Sequence, residues 1–137
     1  MKLFLIISLG ILALGVLHSL GIILLYQTVS WYDAFLHGLS GAWIGLVVLV
    51  WLKQESYSRS HMDIFLALGI VALLGILWEF FEFGVDTLIV PLWNIPMLQG
   101  DITDTMSDLF MDLFGGGVGA LTFRFIHRRN TAVKERV

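Results

Sequence analysis

Four long apolar segments, separated by shorter and more polar stretches, set the pattern of the chain. They cover about residues 3–26, 31–52, 62–87 and 104–126. An apolar helix of about 20 residues spans the hydrocarbon core of a bilayer, which is roughly 30 Å thick. The first segment begins like a signal peptide, but its apolar run is too long for one and predicts a retained helix. The pattern therefore predicts an all-α polytopic membrane protein with four transmembrane helices.

The connection between the third and fourth helices differs from the other two. Its residues 88–100 are mostly apolar, yet they include Pro91 and Pro96. Prolines this close together interrupt a helix, so the stretch is too broken to cross the bilayer. We expect a semi-buried segment that lies at the membrane interface between helices three and four.

The composition indicates one integral membrane domain over residues 1–137. Hydrophobic residues make up 58% of the chain, and the mean hydropathy is +0.87. Both values are typical of membrane proteins rather than of soluble domains. The chain contains no cysteine, which excludes disulfides, zinc–thiolate sites and iron–sulfur clusters.

The basic residues predict the orientation of the protein in the membrane. None of the eight Lys and Arg residues lies between positions 3 and 52 or between 60 and 123. With four spans, the N-terminus, the connection over residues 53–61 and the basic tail over residues 127–137 share one side, and the basic residues fall there. The positive-inside rule places both termini in the cytoplasm. Because the basic tail is short and flanks a membrane segment, we expect no nucleic-acid partner.

Seven carboxylates lie at helical spacing inside the apolar segments. Residues three or four apart share a helix face, so helices two, three and four each present acids on one face. In the predicted topology these acids coincide in depth near the outer side of the membrane. The first level, the mouth ring, consists of Asp33, Asp86 and Asp104. The second ring consists of Glu82 and Asp108 together with His37, and the third level consists of Glu79 and Asp112.

Buried acids of one sign need a partner, because an ionised side chain among apolar helices costs several kcal/mol. A bound divalent metal ion is the leading explanation, since one imidazole beside carboxylates suits Mn²⁺, Fe²⁺ or Zn²⁺ as well as Mg²⁺ or Ca²⁺. Glu79 or Asp112 is then the predicted general base of an enzyme that acts on a membrane lipid or a lipid-linked substrate. The predicted ligands of one or two ions are Asp33, His37, Glu82, Asp86, Asp104 and Asp108.

Other interpretations stay open. Carboxylate chains also form proton relays, which would indicate a proton- or cation-coupled transporter or channel, although the inner half of the fourth helix shows no matching polar path. A third interpretation is a non-catalytic resistance or assembly factor, in which the acids serve stability. The acids at the mouth can be merely interfacial, Asp104 can be a helix cap, and His18 a packed core histidine.

Glycine pairs on two of the helices predict close helix contact. Gly41 and Gly45 lie four residues apart on the second helix, and Gly115 and Gly119 repeat this spacing on the fourth. Small residues at this spacing let two helix backbones approach each other within a membrane. A homo-oligomer through these glycine-rich faces is one predicted outcome.

The motifs over residues 31–119 resemble a known family. They read Trp31-Tyr32-Asp33-x3-His37-x3-Gly41, then Trp78-Glu79-x2-Glu82-x3-Asp86, then Asp101-x2-Asp104-Thr105-x2-Asp108-x3-Asp112-x2-Gly115. This pattern resembles the YjdF-like family of small inner-membrane proteins, which is similar in turn to the VanZ-like proteins, some of them linked to teicoplanin resistance. The resemblance implies a location in the bacterial inner membrane and a polar site. The chain has more acids than VanZ-like proteins and lacks the Gln and Arg that these usually have between the Glu and Asp motifs. The resemblance therefore does not imply glycopeptide resistance.

Overall fold

The computed structural model describes residues 2–26, 28–54, 61–93, 97–98 and 100–134. Helices α1 (Lys2–Leu20), α2 (Tyr32–Gln54), α3 (Met62–Leu88) and α5 (Ile102–Lys134) are long, and α4 (Val90–Trp93) is short. A π-helical turn, Gly21–Leu25, continues α1. Of the positions that the sequence analysis singled out, Pro96 and the part of the basic tail at residues 135–137 lie outside the described residues, as does most of the connection over residues 53–61.

The described chain confirms the all-α prediction with four helices long and apolar enough to cross a membrane. These candidate spans are Leu3–Leu25, Tyr32–Lys53, Met62–Leu88 and Ile102–Ile126. Each agrees with the predicted segment to within about two residues at either end. Helix α5 continues beyond its span to Lys134, so part of the predicted basic tail is helical. No Gly or Pro occurs between residues 127 and 134 to stop the helix there.

Helices α2 and α5 form the tightest contact of the bundle, and glycine makes it feasible. A Cβ atom at Gly41 would clash with the Asp112 carbonyl oxygen, and one at Gly119 would clash with the Ala42 carbonyl oxygen. At Gly45 it would lie 2.8 Å from the Gly116 carbonyl oxygen. The predicted glycine faces therefore pack against each other inside one chain. Self-association through other surfaces stays a prediction.

One half of the bundle has a mainly apolar interior, with Asp63 as a buried acid near the start of α3. Its centre consists of buried side chains from three helices, flanked by Ile64, Ile70 and Phe123. This half contains the C-terminal part of α2 and the N-terminal part of α3, which is the inner half in the predicted topology. We call the opposite end, where α1 meets α2 and where α4 lies, the outer end. The buried core residues of the inner half are Val48, Leu49, Leu52, Ala67 and Ala120.

The described part of the segment between α3 and α5 lies at the outer end. Pro91 lies in the first turn of α4, where its missing N–H costs no helical hydrogen bond. Leu92 and Trp93 are exposed. In a bilayer these apolar side chains would meet lipid or the interface, which suits the predicted interfacial segment. The segment is tied back to α3 by the Leu98 N–H, which donates to Asp86 Oδ1 at 2.8 Å.

Candidate metal centre

His37 lies at the centre of the buried polar cluster. It occupies the second turn of α2, one turn after Asp33, and only 6% of its surface is exposed. Its Nδ1 atom is 3.1 Å from Asp112 Oδ2 on α5, and its Nε2 atom is 4.0 Å from Glu79 Oε1 on α3. One imidazole therefore connects the three helices whose acidic faces were predicted to converge.

Two groups of side chains around His37 have ligand atoms close enough to surround a metal ion. Asp33, His37 and Asp108 form the first group, and His37, Glu79 and Glu82 form the second. Within each group the candidate ligand atoms lie within 4.8 Å of one another. Except for the half-buried Asp33, all these residues are buried. The groups share His37, so they are two sides of one cluster rather than separate sites.

The Asp108 carboxylate is buried, with one of its oxygen atoms unsatisfied within the described part of the chain. It is 2% exposed, and its Oδ1 atom has no hydrogen-bond partner among the described residues. A buried carboxylate oxygen without a partner loses its hydration and gains nothing in return. Because Asp108 lies beside His37 and Asp33, its carboxylate can offer a ligand atom to a cation.

Glu82 is the most buried acid of the cluster, at 1% exposed. The indole N–H of Trp78, one turn earlier on α3, donates to Glu82 Oε1 at 2.9 Å. A hydrogen bond to a charged acceptor is stronger than one between neutral groups. The bond holds one carboxylate oxygen of Glu82 in place.

Helix α1 contributes a second polar contact through Tyr26 and His18. The Tyr26 hydroxyl and His18 Nδ1 are 2.6 Å apart, and Tyr26 is also hydrogen-bonded to Asp33. Burial and the neighbouring Asp33 carboxylate raise the pKa of Tyr26 well above its usual range, so the phenol keeps its proton. Through Tyr26, His18 becomes connected to the cluster.

The two remaining acids of the predicted mouth ring lie outside both ligand groups. Asp86 accepts the Leu98 N–H, and Asp104 Oδ2 accepts the Gly100 N–H at 3.1 Å. Both carboxylates thus bind the backbone of the segment before α5. Their predicted role as metal ligands stays a prediction, but their observed contacts are to the backbone that covers the outer end.

The cap of α5 is made by Asp101 and not by Asp104, the residue suggested from the sequence. Asp101 Oδ1 accepts the Thr103 N–H at 2.8 Å and the Asp104 N–H at 3.1 Å. These backbone bonds to the carboxylate lower the pKa of Asp101. The helix begins before residue 104, at Ile102, because the Asp101 side chain satisfies its first free N–H groups.

His18, for which the sequence leaves a packing role open, and Trp78 each have a polar partner in the structure. A sequence signal existed for each. Trp78 precedes Glu82 by four residues, a spacing that brings two side chains together on one helix face. His18 precedes Tyr26 by eight residues, roughly two turns, which also favours one face.

Comparisons with known proteins agree with the membrane character of the chain. The model of a family described as "Predicted membrane protein (DUF2238)" matches residues 1–129. The YjdF-like proteins, which the motifs resemble, are part of that family. No curated protein and no solved structure matches the chain. The VanZ-like resemblance finds no support in these comparisons.

Proposed function

The chain belongs to the DUF2238 family of predicted membrane proteins, and for it we propose an intramembrane centre that binds one divalent cation. The observation that carries this proposal is the buried Asp108 carboxylate, whose Oδ1 atom lacks a hydrogen-bond partner among the described residues. That carboxylate lies beside the imidazole of His37 and a second carboxylate, Asp33. A cation bound there offsets the cost of burying these acids together.

The chemistry of His37 favours one ion rather than two. A neutral imidazole has one N–H and one lone pair. The Nδ1 atom is bound to Asp112, so Nε2 is the nitrogen left for a metal. A carboxylate that orients a ligating histidine through its other nitrogen is a recurrent feature of metal centres. Asp112 accordingly acts as a positioning residue in this proposal, and not as the general base suggested from the sequence.

The proposed ligands come from the two groups that share His37. Asp33, Asp108 and Glu82 supply oxygen atoms, His37 supplies the nitrogen, and Glu79 lies on the same side as Nε2. An oxygen-rich set with one imidazole suits Mn²⁺, Fe²⁺, Zn²⁺ or Mg²⁺. Asp86 and Asp104 are not among the proposed ligands, because they lie outside both groups and accept backbone N–H groups at the outer end.

Such a centre can support catalysis at a headgroup. A divalent cation lowers the pKa of a bound water and polarises a phosphate oxygen. Glu79, 4.0 Å from His37 Nε2, is the proposed general base. We place the site toward the outer face of a bacterial inner membrane, with both termini in the cytoplasm, because the basic residues flank the opposite end of the spans.

Transport finds less support in the structure than binding. A proton or cation leaving the cluster toward the inner end would meet the apolar core at Leu49, Leu52 and Ala67. Asp63 is buried at the inner end of α3, but the buried residues of α3 between it and Glu79 are Ala67, Val71 and Gly75, which cannot relay a charge. The cluster is better suited to hold a cation than to pass it on.

Metal binding to the purified full-length protein tests the proposal. After treatment with a chelator and reloading with Mn²⁺, we expect about one ion per chain by mass spectrometry of the elements. Pulsed electron paramagnetic resonance should show a nitrogen coupling from His37. Asp108→Asn and Glu82→Gln should each weaken binding more than about tenfold. Asp101→Asn removes a charge just before the helix that carries Asp108 but outside both groups, and serves as the matched control.

Two results would contradict the proposal. The first is wild-type protein that binds no stoichiometric Mn²⁺, Zn²⁺ or Mg²⁺ at neutral pH. The second is equal binding by wild type and Asp108→Asn, which would place the ion elsewhere. Loss of the nitrogen coupling in His37→Gln, with Asp101→Asn unchanged, would support the ligand assignment.

A further inference from the structure

A crevice of about 380 Å³ lies between α1, α2 and α3, directly beside the polar cluster. This is a size usual for pockets that bind small organic ligands. Asp33, His37, His18 and Trp78 line its outer end. The rest of its lining is mostly apolar and includes Leu14 and Gly15 on α1, Leu36 and Ile44 on α2, and Leu74 and Gly75 on α3.

The crevice opens sideways toward the bilayer. Helix α1 packs on α2, and in the part of the chain that the structure describes its backbone makes no close approach to α3 or α5. The gap between α1 and α3 is therefore bounded by α2 at its back, and in a bilayer its front would face lipid. At the outer end the rings of His18 and Trp78 meet edge to face, with centroids 5.0 Å apart. Through this contact the side chains of α1 and α3 meet.

We infer that the crevice holds one hydrocarbon chain of an outer-leaflet phospholipid, with the lipid phosphate at the proposed cation. The headgroup part of this inference rests on the proposed function. The polarity of the crevice argues for an amphiphile, because its apolar lining reaches Ile11 and Ile44 near the middle of their spans while its polar lining lies at one end. An outer-leaflet lipid has the same order of polar and apolar parts along the membrane normal.

The charge of the cluster selects the headgroup. Five carboxylates surround His37, so the bare site repels an anion such as phosphate. A bound divalent cation reverses the local sign and accepts a phosphate oxygen as a ligand. His18 also lines the crevice, where it would face the same headgroup.

Gly15 offers a way to fill the crevice without touching the cluster. A Cβ atom at Gly15 would meet no heavy atom within 4 Å, whereas one at Gly75 would clash with the Asp112 carboxylate. A leucine at position 15 therefore enters open space beside the crevice. A Cβ atom at Gly69 on α3 would also meet no heavy atom within 4 Å, and Gly69 does not line the crevice. Gly69→Leu is thus the matched control.

Photo-crosslinking in nanodiscs tests the inference. The full chain is reconstituted in phosphatidylglycerol that contains a trace of the same lipid with a diazirine in one acyl chain. After irradiation with Mn²⁺ present, we expect crosslinks concentrated on Leu14 and Leu74. Gly15→Leu should reduce them at least fivefold, and Gly69→Leu should leave them unchanged. Diazirine-labelled diacylglycerol, which lacks phosphate, should label these residues less and without dependence on Mn²⁺.

The outcomes separate this inference from the proposed function, because Mn²⁺ content is measured on the same samples. Crosslinks spread evenly over lipid-facing residues such as Phe65 and Leu73, unchanged in Gly15→Leu, would overturn the inference even when Mn²⁺ binds. Crevice labelling that Gly15→Leu removes in a protein that binds no Mn²⁺ would support the hydrocarbon site and overturn the metal centre. Equal labelling by both lipids would overturn the phosphate assignment.

Discussion

The Nδ1 atom of His37 lies 3.1 Å from the Oδ2 atom of Asp112, and both side chains are buried. This hydrogen bond joins α2 to α5 across 75 positions of sequence. It fixes the ring of His37 so that Nε2 faces Glu79. Asp112 itself is not a member of either ligand group, which separates the residue that orients the imidazole from those that would surround the proposed ion.

The first prediction concerns the role of Asp112. If it positions His37, Asp112→Asn keeps an acceptor for the imidazole N–H and should lower Mn²⁺ affinity less than about tenfold. Asp112→Ala removes the acceptor and should lower it about 10–100-fold, the usual effect of losing such a partner. Titration of Mn²⁺ monitored by electron paramagnetic resonance measures both. Equal losses in the two variants would show that the charge of Asp112 is needed, and would make it a ligand or a base.

The second prediction uses Gly75, whose missing side chain makes room for Asp112. A Cβ atom at this position would clash with Asp112 Oδ2. Because that atom ends a rotatable side chain, the carboxylate can move away, at the expense of its bond to His37. We expect Gly75→Ala to fold with nearly wild-type thermal stability and to weaken Mn²⁺ binding about as much as Asp112→Ala. Gly69→Ala on the same helix is the control, and unchanged binding in Gly75→Ala would contradict the assigned contact.

The third prediction concerns the fold. A Cβ atom at Gly41 would clash with the backbone carbonyl of Asp112, which cannot rotate away. Gly41→Ala should therefore force α2 and α5 apart and destabilise the protein by about 1–3 kcal/mol, the usual cost of overpacking. Unfolding in mixed micelles at increasing concentrations of sodium dodecyl sulfate measures this. Gly84→Ala, whose Cβ atom meets nothing within 4 Å, should be neutral or slightly stabilising. Equal stability of the two variants would argue against the close contact of α2 and α5.

Hydrophobic segments predicted the spans well because a membrane helix must satisfy its own backbone and present an apolar surface along its full length. The convergence of acids from α2, α3 and α5 around His37 was also predictable, since helical spacing and topology fix the face of each acid and its approximate depth. The levels were not, because Asp33, assigned to the mouth ring, groups with Asp108 of the second ring. The same reasoning could not separate Asp104 from Asp108. They lie one turn apart on the same face of α5, and what distinguishes them is that the backbone before α5 reaches Asp104 and not Asp108.

The position of α1 was not predictable from the sequence. Its residues are apolar on every side, so no face identifies the partner helix. Its gap from α3, and with it the crevice, depends on tertiary contacts such as the hydrogen bond from the Tyr32 hydroxyl to the Leu17 carbonyl at 3.0 Å. His18 and Tyr26 join the cluster through this placement of α1, which explains why the sequence pattern alone left His18 among the packed residues.

The fourth prediction decides which side of the membrane the cluster faces. The chain has no cysteine, so single-cysteine variants report one position each. Ser30, between α1 and α2, lies at the outer end, and His61, before α3, lies at the opposite end; both are exposed. In intact bacterial spheroplasts an impermeant maleimide should label Ser30→Cys and spare His61→Cys, because Lys and Arg flank the cytoplasmic end. Permeabilisation should then expose His61→Cys, while the cysteine-free wild type stays unlabelled. Labelling of His61→Cys alone in intact spheroplasts would reverse the topology and place the cation site, with its crevice, on the cytoplasmic leaflet.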